Sequence, residues 1–151
     1  MLKPKIADRQ HWEAVSDEEL LGKNLTTDNP LGLDCLVTEI PDGPEEPHVE
    51  FSYNLEDEVR CIHCNHLHKH GFVLRKGGYR YIVGWICGEK IYGEKFDKYA
   101  ADFKAAQARQ DAMRRVQSIQ GRLPILLHGQ RRLIGEIRSI HLKICADQHP
   151  A

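Results

Sequence analysis

The chain lacks any run of about 18 apolar residues, so no segment reads as a membrane-spanning helix. Its first residues, Met1 to Gln10, are charged and hold no apolar stretch, unlike a secretory signal, and a cytoplasmic protein is expected. Familiar catalytic signatures are missing as well. There is no G-x-x-x-x-G-K-[ST] phosphate loop, no G-x-S-x-G elbow and no H-E-x-x-H zinc helix. A non-enzymatic protein is therefore expected. A hydrolase or metal-dependent nuclease using His63, His66 and His70 is the weaker alternative. Such an enzyme needs a second ligand set on the following helix, and residues 87–103 contain neither His nor Asn. Aromatic residues are scarce too, at 7% of 151 residues. The 41% hydrophobic content still supports a modest core, and a net charge of −1 does not match the composition of a disordered chain.

Cysteine is present in an odd number: Cys35, Cys61, Cys64, Cys87 and Cys145. With no export signal, that count argues against a disulfide framework. Cys61 and Cys64 form a C-x-x-C knuckle, and four of the nine histidines lie within it (His63) or just after it (His66, His68 and His70). A tetrahedral structural zinc needs four converging nitrogen or sulfur ligands. The hairpin expected over 72–83, turning at Gly77-Gly78, returns the chain and brings Cys87 back toward the knuckle. This is the logic of a zinc ribbon or treble clef. Cys87 at a helix start is also expected to have a lowered thiol pKa. The predicted zinc ligands are Cys61, Cys64, Cys87 and His68, with His70 or His66 as the alternative fourth. Three thiolates and an imidazole leave no open position, which points to a structural ion. Cys35, among Leu33, Leu36 and Val37, is expected to be a buried thiol. His141, Cys145 and His149 recur every four residues, and chance spacing on a helix surface accounts for them.

The remaining pattern predicts an α+β protein. Ser16-Asp17-Glu18-Glu19 has the form of a capping box, predicting a short helix over 11–23. Leu33–Ile40 and 49–54 read as a first hairpin across the breaker-rich loop 41–47. Tyr92, Phe96, Tyr99, Phe103, Ala106, Gln110 and Met113 form a helical stripe that reads as core rather than as a platform for bases. Gly121 to Pro124 predicts a break, followed by a last helix from about 125 to 146, so that the two helices form an antiparallel pair. The expected organisation is an acidic helix and hairpin over 1–60, a zinc module over 61–96 and a helical hairpin over 88–151, all in one compact unit.

Charge is balanced overall but not along the chain. Residues 1–60 carry five Lys/Arg against fifteen Asp/Glu, and residues 61–151 sixteen against seven. Either the acidic half lies against the basic half, or a polyanion binds the latter. Arg109, Arg114, Arg115, Arg122, Arg131, Arg132 and Arg138 gather on the C-terminal helices, where acidic neighbours are few. Arginine suits bidentate phosphate contacts. DNA or RNA is thus the first expected partner. A protein partner, or a homo-oligomer formed through the heptad-like stripes, is the second.

The motif C-x-x-C-x-x-x-H-x-x-G-F (Cys61, Cys64, His68, Gly71, Phe72) precedes G-x-x-C-G-x-K-x-x-G-x-x-F (Gly84, Cys87, Gly88, Lys90, Gly93, Phe96). It resembles a family of uncharacterised bacterial and phage zinc-binding proteins over about a quarter of the chain. The resemblance implies a Cys3His zinc followed by a helix, and implies no particular activity.

Overall fold

The computed structural model describes residues 11–148. The charged start at 1–10 and His149 lie outside them. The fold is α+β. A short 3-10 turn, Trp12–Ala14, leads into helix α1 (Asp17–Leu21), and a second, Pro30–Gly32, precedes the sheet. Strands β1 (His48–Arg60), β2 (Leu67–Lys76) and β3 (Tyr79–Val83) are followed by helices α2 (Trp85–Tyr92) and α3 (Glu94–Gln148). The chain divides into two compact units, Met1–Gln110 and Asp111–Ala151.

In the first unit the three strands form an antiparallel sheet in the order β1-β2-β3. Gly77, at φ +59°, makes the tight turn between β2 and β3 that a side chain would strain. Phe72, Val73 and Leu74 are consecutive and all buried, which marks a strand covered on both faces. On one face Val73 and Ile82 pack with Tyr53 and Val59 beneath Leu33 and Leu36. On the other, Phe72 meets Phe96 and Phe103 edge-on, with centroids 6.0 and 6.2 Å away. Phe96, Ala100, Phe103 and Ala106 are buried, so the start of the α3 stripe is core as expected.

The N-terminal segment is locked onto this core by polar bonds as well as apolar ones. The Trp12 indole donates to the Val49 carbonyl (2.7 Å), and the Trp12 amide donates to Asp102 (2.9 Å). Ser16 accepts from the Glu19 amide, the first half of the predicted capping box. At the other end of α1, the Gln110 side chain donates to the carbonyls of Leu20 and Lys23, satisfying acceptors that a helix end leaves open. Arg109 reaches the Val15 carbonyl at 2.7 Å and Asp17 at 3.2 Å.

Three expectations are corrected. Residues 33–40 form no strand and no hairpin with β1. Their backbone pairs with the sheet at one bridge, in which the Val37 amide donates to the Arg80 carbonyl and the Arg80 amide to the Cys35 carbonyl. Cys35 has a left-handed φ of +57°, which breaks an extended run, and its side chain is exposed rather than buried. The partner of β1 is β2, and β1 runs on to Arg60 past an irregularity between Asn54 and Val59, where Glu56, Asp57 and Glu58 are exposed.

The third correction is the C-terminal helical pair. Helix α3 continues through Gly121 and Pro124 to Gln148 as a single element. Proline inside a helix costs about 3 kcal/mol and each glycine about 1 kcal/mol, so the breakers weaken α3 without ending it. The Arg, Gln, Leu and Ile around them favour the helix or disfavour it only mildly. No helix among the described residues is long and apolar enough to cross a membrane.

His48 stacks on His11 (centroids 3.5 Å apart, 10° between planes), near Lys23, Glu50 and Arg75. Burial, and the neighbouring His11, lower its pKa from 6.5 to about 4. A base lowered in the folded state takes up its proton first in the unfolded chain. Stability is therefore lost as pH falls from about 6.5 through about 4, and is untouched above that window. His48→Phe keeps a ring for the stack but removes the titration. Between pH 7 and pH 4 this variant is expected to lose about 2–3 kcal/mol less stability than the parent, measured from urea midpoints.

Candidate metal centre

The centre is built from two places in the chain. Cys61 and Cys64 lie at the turn from β1 into β2, and Cys87 lies in the first turn of α2, whose N-cap is Gly84. The turn is closed by its own backbone. The Cys61 amide donates to the His66 carbonyl (3.0 Å) and the Asn65 amide to the Cys61 carbonyl (3.0 Å). Asn65 holds the left-handed φ of +59° that such a reversal needs, and asparagine tolerates it well. The β2–β3 hairpin then brings the chain back, and α2 starts beside the turn. Gly88 fixes how closely α2 can lie, because a β-carbon there would stand 2.2 Å from the Phe96 ring.

The sulfurs of Cys61, Cys64 and Cys87 all lie within 4.8 Å of one another. The Cys87 thiol donates to Cys64 at 3.0 Å. That is far longer than the ~2.05 Å of a disulfide. It is shorter than the ~3.8 Å edge of a tetrahedron with zinc–sulfur bonds of ~2.3 Å. A small outward movement of the thiols would open the cluster to an ion.

The electrostatics fit a cation. Burial works against the Cys61 thiolate, yet its pKa is lowered, because the backbone amides of Gly84, Cys64 and His63 face its sulfur. The Cys87 thiol is pushed up to about 12, first by burial and then by the neighbouring sulfurs of Cys64 and Cys61. The expected lowering at the helix start is thus reversed. Three thiolates this close together cannot all be charged unless a positive ion sits among them. The residues present suit a soft metal ion bound by cysteine sulfur.

The structure brings together three of the four predicted ligands. No histidine nitrogen joins the three sulfurs at the same spacing among the described residues. His68 stands on β2 opposite Val59, where its Nε2 meets the Tyr53 hydroxyl and its Nδ1 lies 3.4 Å from the His66 carbonyl. The His68 ring also packs close to Gly84. His63, His66 and His70 are exposed. Tyr53 escaped the sequence reading as part of this environment. Its alternation with Phe51 marked it only as a strand residue, and its place beside His68 follows from the β1–β2 register. The Gly84 amide escaped for a similar reason, since a backbone donor has no signal in the sequence.

The other predicted residues fall elsewhere. Arg109 is held by the N-terminal segment. Arg114, Arg115, Arg122, Arg131, Arg132 and Arg138 are exposed on the second unit, where Arg132 pairs with Glu136 at 3.6 Å. His141 and Cys145 lie 3.7 Å apart on the helix surface, and His149 is outside the described residues.

No family model, curated protein or solved structure matches the chain.

Serine at position 61, 64 or 87 is expected to remove bound metal almost completely and to lower thermal stability. Cys35→Ser and Cys145→Ser, at exposed thiols, are expected to leave both unchanged. Elemental analysis of the purified proteins beside their melting curves measures each outcome.

Proposed function

We propose that the chain is a zinc-binding, non-enzymatic module that binds nucleic acid through the basic helix of its second unit. In this reading the ion is structural. Cys61, Cys64 and Cys87 hold it, a histidine of the 63–70 cluster completes the tetrahedron, and the knuckle, hairpin and α2 form a treble-clef or zinc-ribbon-like unit. His68, whose ring packs against Gly84, is the first choice for the fourth ligand, followed by His70 and His66. Thiolate ligands donate charge to the metal and make it a poor Lewis acid, which fits a structural role.

One observation carries the nucleic-acid reading. Arg114, Arg115, Arg122, Arg131 and Arg138 are exposed and take part in no ion pair among the described residues. Acidic residues of the N-terminal half do find basic partners within the first unit. Glu50 binds Arg75 and Arg80, Glu46 binds Lys95, and Asp17 binds Arg109. This neutralisation stops at Arg109. The arginines beyond it are exposed donors suited to phosphate oxygens.

Binding should weaken steeply with salt, because each neutralised phosphate releases counterions. With zinc-loaded protein and labelled duplex DNA or single-stranded RNA, the logarithm of affinity is expected to fall linearly with the logarithm of salt concentration. Replacing Arg131, Arg132 and Arg138 together by Gln should reduce that slope by about 2–3. Binding to neither nucleic acid, or a flat salt response, refutes the reading. A preference between the two probes identifies the natural ligand class.

A further inference from the structure

Beyond Gln110, α3 carries an apolar ridge. Val116, Ile119, Leu123 and Leu126 precede Gln130, and Leu133, Ile137, Ile140 and Ile144 follow it. The steps alternate strictly between three and four residues for 28 residues. All eight aliphatic side chains are exposed, from 48% at Leu123 to 65% at Ile137. We propose that this ridge is the seam of a two-stranded coiled coil formed with another copy of this chain, with the two Gln130 side chains meeting at its centre.

The period decides what kind of surface covers the ridge. A straight α-helix repeats every 3.6 residues, so a strict seven-residue pattern drifts by roughly 20° per heptad around it. Four heptads would carry the ridge through roughly 80° relative to a flat lipid surface. A second supercoiled helix follows that drift, and a bilayer does not. The ridge is roughly 42 Å long at 1.5 Å per residue. Burying an aliphatic side chain removes roughly 60–120 Å² from water, so the eight residues supply roughly 1,000–2,000 Å² in a pair. Stable interfaces bury roughly 1,200–2,000 Å² in total, so the ridge is large enough.

The residues off the seam fit the same arrangement. Pro124, Gly121, Gly129 and Gly135 all lie outside the three-four pattern, so none interrupts the layers. These breakers also make the helix weak without a partner. An uncovered helix gains its stability from propensity alone, and that is poor here. Arg131, Arg132 and Arg138 fall at positions turned away from the ridge, so none of these three charges meets its like across it. Gln130 stands midway between Val116 and Ile144, so a pair that overlaps along the whole ridge brings the two Gln130 amides together, where each finds a partner. Leu127 and Ile134, one position past Leu126 and Leu133, add apolar area at the edge of the seam.

Sedimentation equilibrium of the full zinc-loaded chain, at high salt and free of nucleic acid, tests the proposal apart from the nucleic-acid reading. The expected mass is that of two chains, and a larger assembly overturns the pairing. Leu126→Asp combined with Ile137→Asp should give the mass of one chain and a loss of helical signal. The variant's zinc content and tryptophan fluorescence should remain unchanged, showing that the first unit is intact. Ser139→Asp, off the ridge, should keep the assembled mass. A parent protein with the mass of one chain at 100 µM overturns the proposal, as does an assembled double variant.

Discussion

The meeting of Cys64 and Cys87 is the constraint on which the first unit turns. It joins the end of one strand to the start of a helix across 23 positions of chain. The β2–β3 hairpin does the geometric work of returning the chain, and the three sulfurs meet where it returns. Without an ion, crowded thiols oppose one another's ionisation and Cys87 stays protonated. With an ion, the same crowding becomes a ligand set. The direction in which α2 leaves the knuckle, and so the point at which α3 begins, depends on that junction.

The first turns of α3 then act as the second layer of the core. Phe96 and Phe103 fill the space under Phe72, and two buried polar residues on the same helix, Asp102 and Gln110, receive the N-terminal segment. Asp102 takes the Trp12 amide and Gln110 closes the end of α1. A five-residue helix such as α1 has little stability of its own. It persists because its start is capped by Ser16, its end by Gln110, and its one buried leucine, Leu20, has a place to go.

Local signals were readable where they carried their own chemistry. The capping serine, the Gly77 turn, the three converging cysteines and the aromatic stripe of α3 all follow from residue type and spacing. The failures came where long-range partners decide. Leu33 to Ile40 has apolar residues suited to a strand, but Leu33 and Leu36 serve as a lid on Val73 and Ile82, and Cys35 turns the backbone away. Gly121 and Pro124 look like a stop, yet the residues around them sustain the helix at a cost. The histidine that would complete the metal site was not decidable from spacing. Four histidines lie within eight residues, and His68 is engaged by Tyr53, a residue whose position depends on strand register.

The far part of β1 has a consequence for the behaviour of the chain in solution. Past Asn54 the strand leaves regular pairing with β2 and exposes Glu56, Asp57 and Glu58 side by side. An open sheet border is a template on which a stray extended chain can add itself, and the usual outcome is a precipitate. Three adjacent carboxylates on a distorted border repel a like border from a second molecule. The acidic bias of the first sixty residues thereby guards against disorderly stacking at the sheet.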